Sequence, residues 1–115
     1  MQRVLDLTGP KASMRFTLLW STLMAGGDGK GERTPTIIRK EARLYDAFEL
    51  VSVALSSANG GPPQRELVPD GATVILAQED FELLQQYSEK TQWNPAASRQ
   101  VVDLWDWLST AEKRD

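Results

Sequence analysis

The chain has 115 residues, 41% of them hydrophobic and 25% charged, with a net charge of −3. That length fits one domain, and a domain of this size buries roughly two-thirds of the surface its unfolded chain exposes, enough to fold without disulfides or metals. Cysteine and histidine are absent, which excludes thiol nucleophiles, disulfide frameworks, a Ser-His-Asp triad and the usual zinc ligands.

Catalysis is thereby confined to carboxylate, Lys, Tyr or Ser chemistry. The acids Glu79, Asp80 and Glu82 are numerous enough, but nothing in the sequence pairs them across a cleft. First-turn acids on a helix already have a structural reason to be there. No catalytic residue, cofactor site or metal site is assigned, and the chain is expected not to be an enzyme. No apolar run approaches the ~18 residues of a membrane span. Met1–Asp6 lacks the apolar core of a secretory signal. The expectation is a cytoplasmic protein with no membrane partner.

Charge is unevenly placed. Residues 1–45 carry eight basic and four acidic side chains, whereas residues 46–115 carry five and twelve. A polarised chain suits self-association or an oppositely charged partner.

Arg3 to Thr8 is rich in Val and Leu and predicts a short strand, ended by Thr8-Gly9-Pro10. Phe16, Leu19, Trp20, Leu23 and Met24 recur at helical spacing, which predicts a helix from about Ser13 to Ala25 with Gly26-Gly27 as its stop. Residues 26–33, Gly-Gly-Asp-Gly-Lys-Gly-Glu-Arg, read as a flexible loop. They fail as a P-loop because Gly31 follows Lys30, and as a calcium loop because Lys30 sits where an oxygen ligand belongs.

Thr34-Pro35 places a capping residue before a proline and opens the longest predicted helix. Ile37, Leu44, Phe48, Val51 and Leu55 share one face, so the helix is expected to run to Leu55. Ser56–Pro63 reads as a second loop. Arg65–Val68 and Ala72–Leu76, joined by Pro69-Asp70-Gly71, predict a β-hairpin. Gln78 to about Thr91 predicts a helix with acids in its first turn. Trp93 should wedge between it and a last helix opened by Asn94-Pro95, whose buried stripe is Val101, Leu104, Trp105 and Leu108. The tail at 111–115 is expected to fray.

The expected fold is therefore α+β: one domain over 1–115, with a small antiparallel sheet, made of the N-terminal strand plus the hairpin, packed against about four helices. Two surfaces are candidates for function. On the last helix, Trp107 falls about 160° from Trp105 by helix geometry, beside Asp103 and Gln100. An exposed aromatic there would serve as a protein-binding anchor. At the start of the long helix, Arg33, Arg39, Lys40 and Arg43 form a basic cluster, and Arg65 on the hairpin could touch a phosphate, the order of a recognition helix and its wing. Glu41 inside the cluster and a pI near 5.0 count against that alternative. A cysteine-free chain with no catalytic signature is a form shared with many small accessory proteins, bacteriophage ones among them, and no motif names a family. The expectation is a non-catalytic protein-binding module, an assembly or regulatory accessory acting on a protein partner or as a homo-oligomer, with nucleic-acid binding the alternative.

Overall fold

The N-terminal strand is the centre of the sheet. In the computed structural model, which describes residues 1–55 and 64–115, β1 (Gln2–Leu7) pairs antiparallel along its whole length with β4 (Ala72–Ala77), from Gln2↔Ala77 to Leu7↔Ala72. On its other side it pairs with β5 (Glu112–Arg114), from Gln2↔Arg114 to Val4↔Glu112. Period-two alternation sends Leu5, Leu7, Val74 and Leu76 into the core and leaves Asp6, Thr73 and Ile75 in solvent. Arg3 also points inward, 5% exposed, with its guanidinium 4.4 Å above the Phe81 ring.

Four α-helices cover the described residues: α1 (Ala12–Ala25), α2 (Pro35–Leu50), α3 (Gln78–Lys90) and α4 (Ser98–Ser109). Together with the strands they make the expected α+β fold. Helix α1 ends as its sequence requires. Gly26 adopts φ 62°, and the N–H groups of Gly26 and Gly27 donate to Leu23 O and Thr22 O. Helix α2 begins with the Thr34 side chain accepting from the Ile37 N–H at 3.3 Å. Asn94 caps a 3-10 turn at Pro95–Ala97 that runs into α4. Phe16, Leu19, Leu44, Phe48, Phe81, Leu84, Leu104 and Leu108 are the sealed centre of the core. Phe16 stacks on Trp20 at 6.3 Å and meets Phe48 edge-on at 6.0 Å. No helix among the described residues is long and apolar enough to cross a membrane.

Four expectations need correction. The long helix stops at Leu50, not Leu55, and the chain turns into β2 (Ser52–Ala54). The last carbonyls of α2 have partners there: Ser52 Oγ donates to Phe48 O at 2.7 Å, and Arg65 Nη2 donates to Glu49 O at 3.2 Å. The expected hairpin between 65–68 and 72–76 does not form. Strand β3 (Arg65–Leu67) pairs instead with β2, from Ser52↔Leu67 to Ala54↔Arg65, and β4 pairs with β1. Arg65 fixes this choice. Its guanidinium bonds Ser52 Oγ and Ser52 O and lies 5.9 Å over Trp20, so β3 is clamped to the end of α2. The Pro69-Asp70-Gly71 turn is present, but it carries the chain from one sheet to the other. The tail expected to fray is the edge strand β5. Its Glu112-Lys113-Arg114 sequence places only charged side chains on an open sheet edge, a device that discourages further pairing. Finally, Trp105 is 40% exposed while Val101, Leu104 and Leu108 are buried. The Ser56–Pro63 loop lies outside the described residues.

Gly71 holds φ +73°, and a Cβ added to it would stand 2.5 Å from Leu7 O on β1. Gly71→Val is therefore expected to cost roughly 2 kcal/mol or more, from the left-handed conformation and the displaced strand together. A thermal melt measures it, and an unchanged melting temperature would contradict this account of the turn.

Candidate functional site

Five of the eight residues in the two surfaces singled out from sequence are engaged within the fold: Asp103, Trp107, Arg33, Arg43 and Arg65. Asp103 on α4 accepts from Lys11 Nζ at 3.0 Å, Arg15 Nε at 3.1 Å and Arg15 Nη2 at 3.3 Å. These two cations hold the Asp103 carboxyl below the usual carboxylate range, the hydrogen bond from Arg15 contributing most. The same Arg15 guanidinium lies 5.1 Å over the Trp107 ring, and Trp107 packs half-buried against the core. Asp103 and Trp107 thus form a clasp between α1 and α4. Gln100, the third residue of that set, is exposed beside it. The two tryptophans have exchanged the places expected of them. Val101, Leu104 and Leu108 define the buried line, and Trp105 falls outside it.

The basic cluster is dispersed in the same way. Arg43 grips Asp80 with two bonds, Nε to Oδ2 at 2.9 Å and Nη2 to Oδ1 at 2.7 Å, and reaches Glu79 at 3.3 Å. Asp80 is 3% exposed, so this charge-assisted pair ties α2 to the start of α3. Arg33 pairs with Glu41, and Arg65 clamps β3. Of the five cations proposed to meet nucleic acid, only Arg39 and Lys40 have no ionic partner or clamping role among the described residues. The 65–76 wing they were to act with is not formed.

The structure brings together a different set. Where the end of α1, the glycine loop, the start of α2 and the second half of α3 meet, they enclose a cleft of about 490 Å³. Its polar hub is Glu41, 7% exposed. Glu41 Oε1 accepts from Arg33 Nη2 at 2.7 Å and Nε at 3.2 Å, while Oε2 accepts from the Tyr87 hydroxyl at 2.9 Å. A nearly buried carboxylate is costly unless paired and hydrogen-bonded, and here both oxygens are satisfied. Burial and the neighbouring Glu41 carboxylate push the Tyr87 phenol up to about 12. Tyr45, across the hub, donates to Leu23 O at 3.3 Å and is pushed up chiefly by burial. Apolar lining comes from Leu23, Met24, Ile37 and Leu83, and Gln86 and Lys90 line it as well.

The glycine loop is one wall of this cleft, and it is tied at both ends. Gly27 packs so closely on α3 that a Cβ would stand 3.3 Å from the Tyr87 ring, and Arg33 closes the loop onto Glu41. Sequence reasoning noted Glu41 only as an acid among bases. The missed signal is its phase, because Ile37, Glu41, Leu44 and Phe48 lie four, three and four apart, on the buried stripe itself. A carboxylate there requires internal partners.

Comparison with protein families, curated proteins and solved structures finds no match to this chain.

Two measurements test this geometry. Trp107→Ala removes a half-buried ring and the platform under Arg15, and should cost about 2 kcal/mol, below the full value for a sealed core tryptophan. Trp105→Ala should change stability by less than about 0.5 kcal/mol, as surface substitutions do. Equal losses in denaturant melts would overturn the assignment of the two rings. For the hub, a folded-state phenol pKa raised from 10.0 to about 12 favours the protonated form in the native state. Its stabilising contribution is full below the ordinary tyrosine range and is lost as pH rises through the folded value. Spectrophotometric titration should find Tyr87 ionising near pH 12, and Tyr87→Phe should flatten the fall of stability over that interval. Ionisation of both tyrosines near pH 10.0 in the folded protein is the contrary result.

Proposed function

We propose that this chain is a non-catalytic protein-binding module, an assembly or regulatory accessory whose cleft at the glycine loop receives an apolar side chain from a larger protein partner. The observation that carries this is the character of the cleft: an apolar lining of Leu23, Met24, Ile37 and Leu83 beside polar groups that already satisfy one another. A pocket of this kind accepts a buried anchor residue, the feature that dominates the energetics of many interfaces. The hub itself offers little to catalysis. Glu41 is held by Arg33 and Tyr87, and the Tyr87 proton is kept far above neutral pH, whereas a general acid or base works best with its pKa near the operating pH.

The test is photocrosslinking in cells of the chain's source. A photoreactive side chain at Gln86, in the cleft lining, should capture a discrete protein adduct. Met24→Arg, which puts a charge into the apolar lining, should abolish it, and Arg39→Ala should leave it in place. An adduct indifferent to Met24→Arg in a variant that melts like the wild type would refute the cleft as the docking site. Loss on Arg39→Ala alone would redirect attention to the free cations of α2.

A further inference from the structure

Helix α4 has an outer face that its own chain does not use. Val102 and Trp105 are 49% and 40% exposed there, one turn apart. The adjoining side of the helix is committed to the core through Val101, Leu104 and Leu108, and a third side is committed to α1 through Asp103 and Trp107. The helix is therefore held in place, and the two apolar side chains are presented on a fixed frame. Arg99 precedes Val102 by three residues and Asp106 follows it by four, so the two charges share one side of the apolar pair. Both are exposed, and neither has an ionic partner among the described residues. Within one helix they cannot meet, because seven residues separate them by about 10 Å along the axis.

That arrangement is self-complementary. If a second α4 is laid antiparallel across the first about a two-fold axis near Val102, the Val102 and Trp105 of one copy cover those of the other. The same operation sets Arg99 of each copy opposite Asp106 of its mate, giving two equivalent ion pairs that flank the apolar contact. Isologous interfaces require this reciprocity. We infer that the outer face of α4 is a homodimer interface, formed by Val102 and Trp105 at the centre and by reciprocal Arg99–Asp106 pairs at the rim. One helix face buries less than the ~800 Å² per partner of a standard stable interface, so the dimer is weak and concentration-dependent. Because α4 contributes nothing to the cleft lining, this inference stands apart from the proposed docking function and can fail without it.

Sedimentation equilibrium on the whole chain, up to about 500 µM, tests it because weak interfaces need high concentration to populate. Wild type should show a monomer–dimer equilibrium that shifts toward monomer in high salt, since exposed ion pairs are screened. Arg99→Asp and Asp106→Arg should each weaken dimerisation by tenfold or more, because each places like charges face to face. Mixing those two variants should restore a dimer, now heterodimeric, since the new carboxylate of one copy then meets the new guanidinium of the other and the two unaltered side chains still pair. The double variant should recover self-association alone. Trp105→Ser should abolish the dimer while its melt stays wild-type. A strictly monomeric wild type over the whole range, or a dimer unaffected by the charge variants, would overturn the assignment. Met24→Arg should leave the dimer intact, which separates failure here from failure of the cleft reading.

Discussion

The sheet depends on the pairing of Gln2–Leu7 with Ala72–Ala77. Six residues find six partners about seventy positions away, and the contact places Leu5 and Leu7 against Val74 and Leu76 over the aromatic centre of the core. Either strand alone would be an unpaired ribbon with one greasy face. Joined, they make the floor onto which the helices pack, and they leave β1 a second edge for β5. The turn at Gly71 matters for the same reason, because it brings β4 into line with β1 in a backbone conformation where a side chain would strike Leu7 O.

A second constraint is electrostatic. The polarity along the sequence, basic in its first part and acidic in its second, is taken up in part within the fold, where three of the eight bases pair with three of the twelve acids. Lys11 and Arg15 of the first part hold Asp103 of the second, and Arg43 of the first holds Glu79 and Asp80 of the second. These bonds join α1 to α4 and α2 to α3, so the charges act as clasps between elements distant in the chain. Charges without an ionic partner among the described residues remain on both α2 and α4: Arg39, Lys40, Asp46 and Glu49 on α2, and Arg99 and Asp106 on α4.

The sequence was legible where structure is local. Gly26-Gly27, Thr34-Pro35 and Asn94-Pro95 mark three helix ends because each acts through its own backbone, by a left-handed cap or a side-chain acceptor. It was illegible where the decision lies with a distant group. The apolar phase of the helix runs on through Val51 and Leu55, and only the Arg65 clamp shows why the helix stops at Leu50. Glu112–Arg114 has no apolar alternation at all, and its strand exists because β1 offers an edge. The candidate site obeys the same division. The cations of α2 could be named from sequence, but their carboxylate partners lie up to 37 positions away, and the hub at Glu41 needs Tyr87, 46 positions away. Trp105 and Trp107 were assigned the wrong way round because two residues at that spacing sit on either side of a stripe whose exact line is drawn by neighbouring helices.

The central place of β1 also orders events during synthesis. It is made before either of its partners, which are residues 72–77 and 112–114. Helix α1 can form early, being local, but Leu5 and Leu7 have no sheet to join until β4 has left the ribosome. For that interval β1 is an apolar segment without a mate, the kind of exposed edge that chaperones shield and that seeds wrong pairings when they do not. The strand that organises the sheet is therefore the one that must wait longest for it.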